Sequence, residues 1–329
     1  MISVIIPLYN VETYVWRCLQ SFETQHFTDF ELIVVNDGST DKSACLVEDY
    51  AKTSKMNIKL IHQVNAGVSA ARNTGLQHAA GRYVCFVDSD DMASSNYLSA
   101  LFDGIERTSA DVALCGIKLV GDAASPIHER QSQHSAVKCS SGEALRRFLY
   151  RDIAPGIGSL LIKRDVISEN NIAFTTGYRY SEDIEVIYKI FAHATVIACI
   201  KEPLYLYRIR PNSAMSLVDR KRLDGVKLMM YLEDYFDKVR PDFAPDFRAY
   251  GVARLVWAII WQVASANERY SDFIGHMNEY NAAMHMRRLH SFPRKVVALS
   301  ALAYTYSPIM YYKLVRALSF LKRRSLTSS

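Results

Sequence analysis

The stretch Phe86-Val87-Asp88-Ser89-Asp90-Asp91 places three carboxylates within four residues, directly after an apolar run that begins at Tyr83. The run predicts a buried strand, and parallel α/β sheets bind ligands beyond the carboxyl ends of their strands. Carboxylates this close repel each other unless a cation shares them, and Mg²⁺ or Mn²⁺ prefers such oxygen ligands. The pattern is equally typical of a strand-end turn, with Ser94 or Ser95 capping the next helix, so both interpretations are open at this point.

The size and composition of the chain predict a globular protein. Its 329 residues, half of them hydrophobic, suffice for one large domain or two smaller ones. The six cysteines contain no C-x-x-C pair, which predicts a reducing compartment and neither a disulfide framework nor a structural metal. No charged leader precedes the first apolar run, so we expect no signal peptide and a cytoplasmic location.

Short apolar runs alternate with helical patterns over the first 120 residues. This alternation predicts an α/β fold, with a Rossmann-like, mostly parallel sheet flanked by helices on both faces. The predicted strands are 3–6, 31–35, 58–62, 83–87 and 112–117, and the helices between them are 11–23, 41–52, 68–80 and 95–108.

The pattern changes in the second half of the chain. Residues 121–140 are polar and predict a surface excursion, whereas 195–208 predict two strands broken at Pro203. Beyond residue 218 the apolar residues recur only at helical spacing. We therefore predict two domains, 1–215 and a helical C-terminal region, 216–329.

Three further motifs follow predicted strands. In Ile5-Ile6-Pro7-Leu8-Tyr9-Asn10, we expect Pro7 to stop the strand, while Tyr9 is either a stacking face for a nucleobase or a core tyrosine. In Asn36-Asp37-Gly38-Ser39-Thr40-Asp41, capping of the next helix by one of the last three residues would leave Asp37 free for a ligand. In the stretch 65–75, a glycine turn leads into a helix on which Arg72 is either a phosphate or base contact or a surface side chain.

These motifs occur in the order PxYN, NDGS, NxGxxxARNxG and DSDD, each at the end of a successive strand. In this the chain closely resembles glycosyltransferase family 2, the inverting sugar-nucleotide transferases with the GT-A fold. The resemblance is specific over residues 1–120, looser over 150–215, and only general beyond 215. It implies a hexosyl- or N-acetylhexosaminyltransferase that moves a sugar from a UDP-sugar to a hydroxyl of a glycan. The expected acceptor is a polyprenyl-diphosphate-linked intermediate of capsule, O-antigen or exopolysaccharide synthesis.

The resemblance also implies residue roles in a donor site. Asp91 would be the less essential carboxylate of its cluster. The implied donor-site roles are Pro7 and Tyr9 lining the base pocket, Asp37 bonding the base, Arg72 bordering the nucleotide, Asp88 contacting the ribose or the metal, and Asp90 ligating Mn²⁺ or Mg²⁺ against the diphosphate.

Two later segments resemble the acceptor side of such a site. Ser181-Glu182-Asp183 resembles the family's E-D motif at a helix start, with Asp183 as general base and Glu182 supporting acceptor or loop geometry. The alternative is an N-cap with acidic residues that favour the helix dipole, and both roles can coexist. Residues 207–216 resemble the loop that closes over the diphosphate, with Arg210 as the first phosphate candidate and Arg208 as the second.

The charge of the chain is unevenly placed. The formal net charge is +5, but residues 280–329 carry nine Lys or Arg and no Asp or Glu, which leaves a net of −4 on the rest. The uncharged run 296–312 is too short to span a membrane and contains Pro308. Residues 287–324 are therefore either an interfacial element on anionic lipid, at the inner face of the cytoplasmic membrane, or a helical cap on the second domain.

Two alternative functions are compatible with the same motifs. A polyprenyl-phosphate sugar transferase would act on an acceptor that is already an anion, so it would not need Asp183 as base. A non-catalytic nucleotide-sugar or glycan-binding protein would bind UDP without turnover. Nucleic acid is not an expected partner, because no recognised module accompanies the basic tail.

Overall fold

The computed structural model of the chain describes residues 1–210, 220–266 and 275–327, and the side chains of these residues up to 317 except at 220 and 266. The strands are β1 (Ile2–Leu8), β2 (Phe30–Asp37), β3 (Asn57–Gln63), β4 (Tyr83–Phe86), β5 (Met92–Ala93), β6 (Val112–Val120), β7 (Ala136–Ser140), β8 (Leu160–Lys163) and β9 (Val196–Arg208). The helices are α1 (Val15–Glu23), α2 (Ser43–Thr53), α3 (Val68–His78), α4 (Tyr97–Thr108), α5 (Ser141–Leu149), α6 (Arg164–Ser168), α7 (Glu182–His193), α8 (Asp224–Val239), α9 (Ala244–Ala266), α10 (Ala282–Arg288), α11 (Lys295–Tyr306) and α12 (Pro308–Thr327).

The nine strands within the described residues belong to one sheet, in the order β3-β2-β1-β4-β8-β6-β9-β5, with β7 paired to β9. The first four in this order are parallel, whereas β8 is antiparallel to both of its neighbours. The chain proceeds outward from β1 to β3 and then returns to place β4 on the other side of β1. The carboxyl ends of β1 and β4 therefore flank a topological switch point, the place where open α/β sheets bind ligands.

The expectation that Pro7 stops the first strand is wrong. β1 continues to Leu8, and Pro7 pairs in register with Val35 of β2. The missing N–H of Pro7 costs no ladder bond. The backbone groups of Pro7 point to the same side of β1 as those of Ile5, which is the side of β4. Pairing with β4 ends at Ile5, whose carbonyl accepts the Val87 N–H at 2.9 Å.

Two other expectations about strands are wrong, and a third holds only in part. Helices on both faces of the sheet imply buried strands, but β3 forms an edge of the sheet and its residues are exposed or half-buried. Residues 121–135 are mostly exposed, as predicted for a surface excursion, but 136–140 form β7. Residues 196–208 form one strand rather than two. Pro203 is accommodated opposite Gly116, where the pairing register shifts and a Cβ would approach the carbonyl oxygen of Lys201 to 2.8 Å.

The chain divides into two compact units, 1–148 with 153–213 and 149–152 with 214–329. The second unit contains α8 to α12, and its core includes Phe236, Phe247 and Ile260. The predicted boundary at residue 215 lies outside the described residues and stays a prediction. Among the described residues, no helix combines the length and the apolar character that crossing a membrane requires.

Candidate active site

The three carboxylates that follow β4 lie on the tight turn into β5. The Asp91 N–H donates to the Asp88 carbonyl at 2.9 Å, and β5 then pairs antiparallel with β9. Asp91 is buried, and its carboxylate accepts hydrogen bonds from the Tyr205 hydroxyl at 2.6 Å and the Arg208 N–H at 2.8 Å. Burial and the neighbouring carboxylates raise the pKa of Asp91 well above its usual range. Asp91 therefore anchors the turn to β9, whereas the side chains of Asp88 and Asp90 form ion pairs with arginines.

Arg72 of α3 joins the strand-end cluster to the start of α7. Its guanidinium is buried and pairs with the Asp88 carboxylate at 2.8 Å and the Glu182 carboxylate at 3.3 Å. Burial alone would lower the pKa of Arg72, but the attraction of Asp88 and Glu182 raises it, so the guanidinium stays charged. The guanidinium also lies 5.1 Å from the ring centroid of Phe174. Arg72 is thus not a surface side chain, and it positions two carboxylates. Its place beside the nucleotide stays a prediction.

Glu182 and Asp183 begin α7 after Ser181, which has a φ of 69° and makes no side-chain cap hydrogen bond. Desolvation and the charge of Asp183 raise the pKa of Glu182 to about 7, although Arg72 opposes the shift. Desolvation also raises the pKa of Asp183, again against Arg72. One Asp183 oxygen accepts the Ile184 N–H at 2.8 Å. A carboxylate with a raised pKa accepts a proton more readily than an ordinary aspartate, which suits a general base.

Asp90 pairs with Arg210, whose guanidinium stacks 5.1 Å from the ring centroid of Tyr14. Burial and the charge of Asp88 raise the pKa of Asp90, while Arg210 opposes the rise. The Nε of Arg210 is buried and has no hydrogen-bond partner among the described residues. Arg210 therefore balances the charge of Asp90 and still has a donor to offer.

Arg208, the second phosphate candidate, has a different role. It is buried, and its Nε donates to the Asp90 carbonyl at 2.9 Å. Its Nη1 donates to the carbonyls of Asp122 and Ala124, and its Nη2 lies 3.3 Å from the sulfur of Met92. These bonds tie β9 to the turn after β4 and to the segment after β6, so the guanidinium is not available to a phosphate. Of the predicted closing loop 207–216, residues 211–216 lie outside the described residues.

The donor set fits a hard divalent cation. Across the described part of the chain, no three His, Cys, Asp or Glu side chains come together as a complete metal site. Asp88 and Asp90 nevertheless offer carboxylate oxygens from one turn, and their repulsion contributes to the raised pKa of Asp90. Mg²⁺ is commonly held by one or two carboxylates, with phosphate oxygens and water completing the shell.

Asp37 is not free, contrary to the expectation from the sequence. Its carboxylate accepts the N–H groups of Ala66 and Gly67, both at 2.8 Å, and the Gln63 side-chain amide at 2.7 Å. Asp41 does accept the Ser43 N–H at the start of α2, at 2.9 Å, but this leaves the Asp37 bonds unchanged. Asp37 fixes the turn between β3 and α3, where Gly67 has a φ of 89°.

Tyr9 has 49% of its surface exposed, so it is not a core tyrosine. Asn10 follows it with a φ of 50°, and its side-chain oxygen accepts the Thr40 N–H at 2.8 Å. This bond ties the residues after β1 to the loop before α2. Tyr9 therefore lies at the carboxyl end of a central strand. Pro7 is buried within β1, two residues before Tyr9.

Some contributors to the site were not predicted. Tyr14 lies against both Arg208 and Arg210, Phe174 lies against Arg72, and Tyr205 holds Asp91. Each is an aromatic residue with no motif of its own in the sequence. Their only signal is spatial, because their partners lie far away along the chain.

The family model described as glycosyl transferase family 2 matches residues 3–167. The chain belongs to glycosyltransferase family 2. The family model thereby confirms the predicted family and, at that level, the predicted transferase class.

One relative with a similar sequence also carries a glycosyltransferase name. The uncharacterized glycosyltransferase EpsJ of Bacillus subtilis is 33% identical over 226 residues, which cover 68% of this chain and 65% of EpsJ. The chain thus spans slightly less than two thirds of the length of that relative.

Solved structures confirm the predicted α/β GT-A fold. The crystal structure of S. aureus TarS in complex with UDP-GlcNAc matches with a TM-score of 0.67 and 22% identity, over 98% of this chain and 92% of the other. The mannosyltransferase PcManGT of Pyrobaculum calidifontis, in complex with GDP-Man and Mn²⁺, matches with a TM-score of 0.60 and 19% identity, over 97% and 86% of the two chains.

Proposed function

We propose that this protein is an inverting glycosyltransferase that moves a sugar from a UDP-sugar to a hydroxyl group of a glycan. The proposed acceptor is a growing surface polysaccharide, such as capsule, O-antigen or exopolysaccharide, carried on polyprenyl diphosphate. Such an acceptor lies at the membrane surface, so the proposal also places the protein peripherally on the inner face of the cytoplasmic membrane.

One observation carries this proposal: Arg72 joins Asp88 to Glu182. Asp88 belongs to the strand-end carboxylates and Glu182 to the start of α7, more than ninety residues later, yet both bind one buried guanidinium. Asp88 on the donor side and Glu182, which precedes the candidate base Asp183, are therefore separated only by the guanidinium of Arg72. A transferase needs this juxtaposition, because the acceptor hydroxyl must attack beside the departing diphosphate.

The residues divide the reaction between them. Asp183 removes the proton from the acceptor hydroxyl as that oxygen attacks the anomeric carbon, a step to which one positioned base contributes ~10²–10⁴-fold. Glu182 and Arg72 keep Asp183 beside Asp88. Direct displacement from the face opposite the diphosphate inverts the anomeric centre. Pro7 and Tyr9 border the nucleobase. Asp37 contributes to the base pocket by fixing the turn between β3 and α3.

Asp88 and Asp90 would hold Mn²⁺ or Mg²⁺ against the diphosphate. The ion would supply charge neutralisation for the departing nucleotide, which then needs no protonation. Arg210 forms an ion pair with Asp90 in this structure. Its Nε has no hydrogen-bond partner among the described residues, and such a donor is suited to a phosphate oxygen. We infer that Arg210 turns from Asp90 to the diphosphate when the donor binds.

The related proteins support the choice of donor. The TarS complex holds UDP-GlcNAc, and the TarS name is poly(ribitol-phosphate) beta-N-acetylglucosaminyltransferase. The PcManGT complex holds GDP-Man with Mn²⁺. The NDGS motif resembles the family's base-binding motif, whose usual base is uracil, and this favours UDP for this chain.

Calorimetric titration tests the donor site. We expect UDP to bind in the presence of Mn²⁺, more tightly than GDP or CMP, and Asp90→Asn to weaken that binding at least tenfold by removing one metal ligand. Asp49→Asn is the matched control, because it makes the same change at an exposed ion pair with Lys52 on α2.

Three other outcomes would count against parts of the proposal. A preference for GDP would redirect the donor. Equal UDP binding by wild type and Asp90→Asn would remove Asp90 from the site. The absence of any nucleotide binding would reduce the strand-end carboxylates to a structural turn.

A further inference from the structure

The second unit exposes large apolar side chains on both α11 and α12. These seven side chains are each exposed by between 47% and 83%, and we call them the apolar face: Val296, Leu299, Leu302, Tyr306, Ile309, Met310 and Leu314. On α11 they recur at steps of three and four residues, so they share one side of the helix. The opposite side, with Val297, Ala301 and Tyr304, is buried. The core of the unit is thus already filled, and the apolar face is additional to it.

Basic side chains accompany this face. α11 begins at Lys295 and carries no other charge, so its exposed side is apolar over three turns. On α12, Lys313 lies between Met310 and Leu314 on the exposed side, while Tyr311 and Val315 are buried. Arg316 is exposed one turn further on. Lysine and arginine stems can lie along an apolar surface and keep their charged ends at its polar boundary.

The charge of residues 280–329 indicates which kind of partner would cover the apolar face. Residues 280–329 contain nine Lys or Arg and no Asp or Glu. A second copy of the chain placed on this face would bring like charges together without an acidic partner from the segment. An anionic lipid surface accepts both features at once, because its phosphates attract the basic groups and its acyl boundary accepts the apolar side chains.

We propose that the apolar face of α11 and α12 docks on the surface of an anionic bilayer. The two helices lie in the plane of the interface, with Leu299 and Leu302 directed into the acyl boundary and Lys295 and Lys313 among the headgroup phosphates. This binding is independent of the sugar-transfer reaction. It would bring the enzyme to the surface where a lipid-linked acceptor is found.

Co-sedimentation of the full chain with vesicles tests the proposal. We expect binding to phosphatidylcholine vesicles that contain phosphatidylglycerol, little binding to phosphatidylcholine alone, and a steep loss of binding with added salt. Lys295→Gln with Lys313→Gln should weaken the partition roughly fivefold for each charge removed. Leu299→Glu with Leu302→Glu should abolish binding.

A matched control makes the same change on another helix of the unit. Met230→Glu with Tyr231→Glu replaces two apolar residues of α8 that are 49% and 53% exposed, close to the 51% of Leu302. This control should bind vesicles with no more than the loss expected from its added charge. UDP binding, measured on every variant, separates a folding defect or a failure of the donor site from a failure of the docking surface.

Two results would overturn the proposal. The first is unchanged vesicle binding in the Leu299→Glu, Leu302→Glu variant. The second is a wild-type dimer in light scattering that this variant converts to a monomer while wild type ignores anionic vesicles, which would assign the face to a second copy of the chain.

Discussion

Asp183 is the residue whose chemistry separates the proposed reaction from its nearest alternative. Replacing it by asparagine should lower kcat by ~10²–10⁴-fold, because the acceptor hydroxyl loses its base, and should leave UDP binding unchanged. The measurement is steady-state transfer from a UDP-sugar, with Asp103→Asn on α4 as a control at an exposed ion pair. Full activity in Asp183→Asn would instead indicate an acceptor that is already anionic, such as a polyprenyl phosphate.

The same residues set the sign of the pH dependence. Burial raises the pKa of both Glu182 and Asp183, and that of Glu182 reaches about 7. As the pH falls through 7, Glu182 takes up a proton and its pairing with Arg72 weakens, and Asp183 is protonated at a higher pH than an exposed aspartate. Wild-type activity should therefore decline on the acid side well above the ordinary range of aspartate, which is about pH 4.

What the sequence could predict at this scale depends on how far apart the partners lie. The carboxylates of the strand-end turn are adjacent in sequence, so their clustering was foreseeable. The bonds from Asp37 to the N–H groups of Ala66 and Gly67 cross from one strand end to the next. Backbone donors leave no mark on residue identity, which is why the sequence suggested a free carboxylate there.

The packing of α3 against β1 determines where Arg72 stands. A Cβ on Gly75 would lie 2.3 Å from the Cγ2 of Ile5, so Gly75→Ala must push the helix away from the strand. We expect a loss of about 1–3 kcal/mol of unfolding free energy, as for overpacked cores, together with weaker UDP binding because Arg72 moves with the helix. Urea denaturation and calorimetry measure the two effects.

Gly121→Ala provides the comparison for this change. A Cβ at Gly121 meets nothing within 4 Å, so this variant should keep both stability and UDP binding. An unaltered denaturation midpoint in Gly75→Ala would mean that α3 can shift without cost, and the close approach would then have no part in positioning Arg72.

The elements that were predicted well are those with a strong local pattern. The alternation from β1 to α4 follows from apolar runs and helical spacing, and the observed bounds differ from the expected ones by only a few residues, except at the start of α1. β5 and β7 were missed because two to five residues carry too little periodicity, and both depend on pairing with β9. The exposure of β3 follows from its place at the sheet edge, which only the strand order reveals.

At the scale of the whole molecule, the two compact units have separate cores. Ile33 lies in the core of the first unit and Ile260 in that of the second, and neither has exposed surface. Because a chain with two cores need not unfold in one step, we expect two calorimetric transitions. UDP with Mn²⁺ should raise the temperature of the first unit's transition only. The unfolding free energy of that unit should increase by about 2.7 kcal/mol when the free ligand is at a hundred times its Kd.

Matched substitutions assign the transitions. Ile33→Val and Ile260→Val each remove one buried methylene and should cost about 0.5–1.5 kcal/mol. For the larger first unit that corresponds to a fall of roughly 2–4 °C in Tm for each kcal/mol, and for the smaller second unit to a larger fall. Ile33→Val should lower the transition that UDP raises, and Ile260→Val the other, because all the proposed donor-site residues lie in the first unit. A single transition that both substitutions lower and UDP raises would show instead that the two cores unfold together, so that donor binding stabilises the helical unit as well.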